Sequence, residues 1–173
     1  MTEGHPTAPA LAPAPGSDEA WMQEALVDAY AAAAAGDVPV GAVIVRHGVI
    51  VARAGNRTVR DHDPTAHAEM LAIRQAARAL GDRRLTDCTL YVTLEPCGMC
   101  AGAIVLARLE RLVFGAWDEK AGMVGSVGDL VRHARLNHRA EVRAGVAAER
   151  CGEPLRAFFA ARRGTDGSEQ QHG

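Results

Sequence analysis

Runs of β-branched residues at 38–45 and 49–52 are separated by a three-residue turn that ends at Gly48, and this pattern predicts a β-hairpin. Helical and strand patterns then alternate: a helix is predicted at 67–80, a strand at 89–94, a helix at 97–107, a strand at 111–114 and an edge strand at 140–143. Strands connected through helices lie parallel, and the helices cover the faces of the sheet. The order of elements therefore predicts a three-layer α/β domain with a mixed sheet.

The ends of the chain differ from its middle in composition. The predicted organisation is a disordered tail at 1–17, one domain at 18–163 and a second disordered tail at 164–173. The first tail is rich in Ala and Pro and has too little apolar bulk to offset the entropy of ordering it. Ser17 or Asp18 can cap a helix at the start of the domain, and an amphipathic helix at about 147–163 closes it.

The composition predicts a globular protein with no membrane span, since 48% of the residues are hydrophobic and 23% are charged. The best candidate for a span, 38–51, is too short and is interrupted by Pro39 and Arg46. The N-terminal residues lack the basic start and apolar centre of a secretory signal, so we expect a cytoplasmic protein with reduced thiols. The net charge of −2 excludes a uniformly basic coat for nucleic acid but leaves room for a local basic patch.

Two cysteines at the start of a predicted helix indicate a metal site. Cys97 and Cys100 are three residues apart, so both thiols point to one side of the helix, and its N-terminal amides favour thiolates. No second cysteine pair at zinc-finger spacing follows, which predicts a zinc site with an open position for water. His67 is the candidate third ligand, because successive strand–helix units bring helix starts to one edge of the sheet. The alternative is a surface histidine and two buried thiols.

Glu69 follows His67 by two residues and lies in the same helical turn, where it can reach past the metal ligand. An acid beside a metal-activated water can take a proton from the water and pass it to a leaving amine. The pattern therefore predicts hydrolytic loss of ammonia. The alternative is an acid that only complements the positive end of the helix dipole.

These motifs resemble a known family. Pro-Thr-Ala-His-Ala-Glu at 64–69 and Thr-Leu-Glu-Pro-Cys-Gly-Met-Cys-Ala-Gly at 93–102 are similar to the zinc-dependent cytidine/deoxycytidylate deaminase superfamily, and within it to the bacterial tRNA-specific adenosine deaminases. The resemblance runs from about 21 to 163. It implies a three-layer α/β/α cytidine-deaminase-like domain with a central mixed five-stranded sheet, one Zn²⁺ per subunit on His67, Cys97 and Cys100, and a homodimer.

The activity implied by the resemblance is hydrolytic deamination of adenosine to inosine at the wobble position of a tRNA anticodon, with a zinc-activated water and Glu69 as proton shuttle. An alternative enzyme is a deaminase of a free base or nucleoside, such as guanine, cytosine or cytidine. The arginine-rich stretch at 132–163 favours RNA over a free base. An alternative from another class is a zinc-stabilised binding module or inactive subunit, which would have no use for an acid that is not a ligand.

Contacts with the anticodon stem-loop are implied for six residues: Asn56, Asp118, Lys120, Asn137, Phe159 and Arg163. The alternative for Asn56 and Asn137 is that they only form turns. The alternative for Asp118 and Lys120 is that they are an ordinary solvated pair. Phe159 and Arg163 lie one helical turn apart, as a stacking ring and a phosphate contact would.

Three positions depart from the family pattern. Trp117 stands where an arginine is frequent, Ala160 replaces a basic residue, and Gly98 fills a variable site. These departures bear on contacts with RNA and leave the metal and proton-transfer residues intact.

Overall fold

The computed structural model describes residues 13–166, which form a five-stranded sheet with helices on both faces. The strands are β1 (Gly41–Arg46), β2 (Val49–Gly55), β3 (Cys88–Leu94), β4 (Arg111–Ala116) and β5 (Glu141–Arg143). The helices are α1 (Asp18–Ala34), α2 (Ala68–Leu80), α3 (Gly98–Leu106) and α4 (Ala148–Asp166).

The sheet is mixed, as predicted, and its strand order is β2-β1-β3-β4-β5. Strand β1 pairs antiparallel with both β2 and β3, whereas β3, β4 and β5 are parallel to one another. The predicted hairpin is therefore confirmed as β1 and β2. The three parallel strands direct their carboxyl ends to one edge of the sheet, where ligands bind in open α/β folds.

Strand residues alternate between two cores, one on each face of the sheet. Ala42 and Ile44 of β1 belong to the core beneath α2 and α3, while Val43 and Val45 pack on the side of α1. This alternation has the period of two that a β-strand imposes. With a helical layer on each side, the predicted three-layer α/β/α arrangement is confirmed.

Helix α1 lies in backbone contact with the hairpin. A Cβ atom on Gly41 would be 1.9 Å from the carbonyl oxygen of Ala25, and one on Gly55 would be 2.5 Å from that of Asp28. The alanines of α1 and these two glycines let the helix approach closely. Arg53 of β2 then pairs with Asp28 at 2.9 Å, which fixes the helix across the strand.

The ends of the domain lie close to their predicted positions. Ser17 caps α1 by accepting a hydrogen bond from the backbone N–H of Ala20 at 3.2 Å. Helix α4 continues to Asp166, three residues beyond its predicted end. Most of the residues predicted to be disordered, 1–12 and 167–173, lie outside the described part of the chain. Within 13–166, no helix is both long and apolar enough to cross a membrane.

Candidate active site

Both helices that carry the predicted metal donors begin at the carboxyl edge of the sheet. His67 is the N-cap of α2, and Cys97 is the N-cap of α3, three residues after the end of β3. Because α3 begins there, Cys100 lies one turn along it and points to the same side as Cys97. The sequence therefore places three donors around one point.

Three donor atoms meet there. Nδ1 of His67 is 3.7 Å from Sγ of Cys97 and 3.6 Å from Sγ of Cys100, and all three donors lie within 4.8 Å of one another. In a tetrahedral zinc site with ordinary bond lengths, nitrogen and sulfur ligands are about 3.6 Å apart. This group could hold a metal ion, and its spacing and its one-nitrogen, two-sulfur chemistry fit zinc.

The two thiols of the site have very different pKa values. Contact with Cys100 and with the His67 ring lowers the pKa of Cys97 to about 3. The hydrogen bond with Cys97, together with burial, raises the pKa of Cys100 well above its ordinary value. A bound divalent cation would lower the pKa of Cys100 again, because metal ligation requires both sulfurs as thiolates.

Glu69 lies beside the donors but is not one of them. Its side chain is 4% exposed, and burial raises its pKa to about 7. It shares a pocket with His67 and Cys97. A buried carboxyl group in this position can hold and release a proton next to the metal donors.

The pocket has a volume of about 230 Å³ and combines apolar walls with the polar groups of the site. It is lined by Val38, Val40, Asn56, Thr58, His67, Glu69, Leu94, Glu95, Cys97, Asp118 and Ala121. A second cavity of about 480 Å³ shares Val38, Leu94, Asp118 and Ala121 with it, so the two adjoin. The pocket thus lies beside a larger groove.

Asn56 is buried in the pocket wall, and the orientation of its amide is determined. Oδ1 of Asn56 accepts a hydrogen bond from the backbone N–H of Ala68 at 2.8 Å, at the start of α2. The backbone N–H of Ala68 needs an acceptor, so the amide oxygen of Asn56 faces it and the NH₂ group remains available to other partners. Asn56 can therefore present a donor to a ligand in the pocket, and it also caps the helix that follows His67.

Family comparison agrees with this arrangement of donors and acid. Residues 16–163 match the family model of the MafB19-like deaminases. This chain belongs to the MafB19-like deaminase family.

Relatives of the deaminase share most of its length. It is 53% identical over 142 residues to the tRNA-specific adenosine deaminase of Bacillus subtilis, a match that covers 82% of this chain and 88% of the relative. A structure from studies of A-to-I editing by tRNA:A34 deaminases at the wobble position of transfer RNA is 47% identical, with a TM-score of 0.76 and coverage of 78% of this chain and 98% of that one. The predicted family and the cytidine-deaminase-like fold are confirmed.

Free-base deaminases are more distant from this deaminase. The structure of guanine deaminase from Nitrosomonas europaea is 26% identical, with a TM-score of 0.73, and the match covers 83% of this chain and 85% of that one. Deaminases named for different substrates therefore share this fold, and the fold alone does not determine the substrate.

Four of the predicted substrate contacts of the deaminase come together in the adjoining groove, which Asp118, Lys120, Phe159 and Arg163 line with Leu155. Phe159 is 44% exposed, whereas Phe158 is half-buried and carries the guanidinium of Arg162 at 4.2 Å from its ring centre. Oδ1 of Asp118 accepts hydrogen bonds from the backbone N–H groups of Lys120 and Ala121 at 3.1 and 3.2 Å, so its carboxylate also shapes its own turn.

Asn137 does not join the other predicted contacts. It lies just before β5, which is parallel to β4, and the start of β5 is at the edge of the sheet opposite the pocket. Its backbone carbonyl accepts a hydrogen bond from Arg108 at 2.9 Å. Within the described chain, the pocket and its groove are lined without Asn137.

Two buried acids of the deaminase were missed by the sequence analysis. Asp37 accepts hydrogen bonds from the backbone N–H groups of Val59 and Arg60 at 2.8 and 3.2 Å, and so holds the loop between Asn56 and His67. Glu95 is 2% exposed and accepts from the loop that follows β4. The available signal was an acid directly after a strand of buried residues, immediately before Pro96.

Proposed function

We propose that this deaminase hydrolyses adenosine to inosine at the wobble position of a tRNA anticodon, using one zinc ion per chain. The observation that carries the proposal is a buried acid, Glu69, beside three donors that fit zinc, in a pocket that adjoins a groove. Relatives that cover most of this chain and are named tRNA-specific adenosine deaminases support the substrate.

His67, Cys97 and Cys100 would hold the zinc, and the ion supplies a water that is activated near neutral pH. Glu69 then acts on protons: it accepts one from the attacking water and delivers it to the departing amino group. Burial supports this role, because the carboxyl group exchanges its proton with the reactants rather than with bulk water.

Asn56 would orient the base. With its oxygen engaged by Ala68, its NH₂ group donates to an acceptor on the purine. Val38 and Leu94 provide apolar surface in the same pocket, against which the flat ring can pack. The base must leave its stack to enter, which costs little in an anticodon loop.

The adjoining groove would hold nucleotides next to the target. Phe159 offers a ring for stacking, and Lys120 and Arg163 offer cations for phosphate. A free base needs no such groove, which is the observation that favours an RNA substrate. A tRNA substrate would place the enzyme in the cytoplasm.

We also propose a homodimer through the outer surface of α2 and α3. A shallow cavity of about 360 Å³ there is lined mostly by apolar side chains, among them Ile73, Ala77 and Leu106. Leu106 is 78% exposed, and contiguous apolar surface of this kind is typical of interfaces. Sedimentation should give twice the chain mass for the parent and the chain mass for Leu106→Lys; a monomeric parent with full activity would refute the dimer.

A substrate panel tests the proposed function. The zinc-loaded protein is incubated separately with an anticodon stem-loop that carries adenosine at the wobble position, the same stem-loop with adenosine moved into the stem, free adenosine, guanine and cytidine. We expect inosine from the first RNA alone. Release of ammonia from guanine or cytidine, with no inosine in RNA, would favour the free-base alternative instead.

A further inference from the structure

In the loop after β4, residues 117–128, several hydrogen-bond donors point at one buried carboxylate, that of Glu95. Oε2 of Glu95 accepts a hydrogen bond from the backbone N–H of Asp118 at 3.0 Å, and Oε1 accepts from those of Val124 and Ser126 at 3.1 and 3.0 Å. The Ser126 hydroxyl also donates to Oε2. Four donors from one loop therefore converge on one side chain.

The loop packs closely against Glu95. A Cβ atom on Gly122 would lie 2.2 Å from the Glu95 carboxylate, so the loop backbone rests directly on it. The loop also pairs with the segment that bears the metal donor: Met123 donates to the carbonyl of Pro96 at 2.9 Å, and Gly122 forms a β-bridge with Cys97.

The same loop forms the wall between the pocket and the groove. Asp118 and Ala121 line both cavities, and Lys120 lines the groove. Glu95 reaches this wall from the end of β3, two residues before the donor Cys97, whereas His67 and Glu69 lie at the start of α2. A shift of Asp118 at the beginning of the loop would therefore alter the space offered to the substrate, while Gly122 and Met123 keep their own contacts with Cys97 and Pro96.

We propose that Glu95 is a positioning residue for RNA binding: its carboxylate fixes Asp118, and through it the wall that separates the base pocket from the groove. This inference rests on the proposed function, since the wall matters only if RNA occupies both cavities. It assigns to Glu95 an effect on substrate binding rather than on the chemical step.

The test compares Glu95→Gln with Ser126→Ala in the full-length zinc-loaded protein. The glutamine oxygen can still accept hydrogen bonds from the backbone N–H groups of Val124 and Ser126. The hydroxyl group of Ser126 can rotate so that its oxygen accepts from the new NH₂ group. The backbone N–H of Asp118, however, then faces this NH₂ group, which is a donor, and loses its acceptor. Ser126→Ala removes one donor to Glu95 and keeps the Asp118 contact. Comparing the two variants therefore distinguishes the effect of the Asp118 contact from the effect of the other hydrogen bonds that hold the loop.

We expect Glu95→Gln to raise KM for the anticodon stem-loop about tenfold, as loss of a hydrogen bond to a charged group does, with kcat changed less than about threefold. Ser126→Ala should change KM less than about threefold, and both variants should keep one zinc per chain. Amide hydrogen exchange at Asp118 should accelerate in Glu95→Gln alone. Equal KM effects in the two variants, a fall in kcat without a rise in KM, or loss of zinc would overturn the inference.

Gly122→Ala provides a second route if Glu95→Gln does not fold, because the new methyl group would lie 2.2 Å from the Glu95 carboxylate and 2.6 Å from the carbonyl oxygen of Asp118, so the contact between them must shift. It should reproduce the rise in KM with one zinc per chain retained. An unchanged KM in folded, zinc-loaded Gly122→Ala would contradict the role of the wall. Inactivity of the parent on the stem-loop would refute the proposed function itself, whereas an active parent with unaffected variants would refute only the role of Glu95.

Discussion

At the scale of the residue, Glu69 and the metal donors are neighbours with different tasks. Glu69→Gln keeps the size of the side chain but removes its ability to carry a proton. Turnover should fall by about 10² to 10⁴-fold, while zinc content and the unfolding temperature stay near those of the parent. Glu110→Gln, an exposed acid of the loop before β4, is the matched control and should retain activity. Loss of zinc together with activity would make Glu69 a ligand instead.

Asn56 has two separable contacts, one with α2 and one proposed with the base. Asn56→Asp keeps an oxygen for the N–H of Ala68 but replaces the NH₂ donor with a second oxygen. We expect kcat/KM to fall about 10 to 100-fold with little change in the unfolding temperature, because a buried hydrogen bond to the substrate is lost. If Asn56 serves only as a turn former and helix cap, Asn56→Asp will deaminate the stem-loop as the parent does.

At the scale of the element, α1 is tied to the parallel strands by Asp18. Its carboxylate accepts hydrogen bonds from Arg111 of β4 at 2.7 and 2.9 Å, and from Arg143 of β5 and Tyr91 of β3. The hydrogen bond from Arg111 is the largest cause that lowers the pKa of Asp18, to about 2 from an ordinary value of 3.8. A pKa lowered in the folded state stabilises the fold above the unfolded pKa, and that stabilisation disappears as the pH falls from about 4 to about 2.

Asp18→Asn should therefore lower the free energy of unfolding by about 2 kcal/mol at pH 7, and its difference from the parent should shrink as the pH falls from about 4 to about 2. Asp87→Asn is the control, since Asp87 is exposed and pairs with Arg46 only at 3.8 Å. Denaturant titrations across this pH range measure both. A difference between Asp18→Asn and the parent that stays constant from pH 7 to 2 would contradict the role assigned to the ionised carboxylate.

Helix α4 contributes Phe159 and Arg163 to the groove, and this can be tested without disturbing the core, because Arg163 is exposed. Arg163→Ala should weaken binding of the stem-loop and reduce the slope of log K against log salt by about one, as expected for one lost phosphate contact. Arg150→Ala, an exposed arginine of the same helix outside the groove, should leave the slope unchanged. Equal slopes for Arg163→Ala and the parent would leave the helix with a structural role only.

At the scale of the whole molecule, the sequence predicted the features that follow from local pattern. Strands rich in β-branched residues alternate with helices, and this order predicted the mixed sheet. The helices that begin after His67 and Cys97 each follow a strand, and both start at the same edge of the sheet. The meeting of the three donors could be predicted because successive helix starts at a carboxyl edge are neighbours. The predicted roles of these donors and of Glu69 remain predictions.

Features that depend on distant pairing could not be predicted. Glu95 bonds to residues 23 to 31 positions away, in a glycine-rich loop with no periodic pattern to reveal its path. Asn137 was grouped with the substrate contacts by resemblance, but only the parallel pairing of β5 with β4 shows that it lies at the opposite edge. The side chain of Asp118 bonds within its own turn, a detail that depends on the backbone conformation of the loop.

Transfer of an oxygen isotope from solvent water to one nucleoside tests hydrolytic deamination at the wobble position. The zinc-loaded protein is incubated in ¹⁸O-labelled water with an anticodon stem-loop that carries adenosine at the wobble position, and the RNA is digested and its nucleosides are analysed by mass spectrometry. Hydrolytic deamination at this site predicts one labelled oxygen in each inosine, inosine at the wobble position alone, and an equal amount of ammonia. Unlabelled inosine, inosine spread over other adenosines, or an unchanged RNA would contradict it.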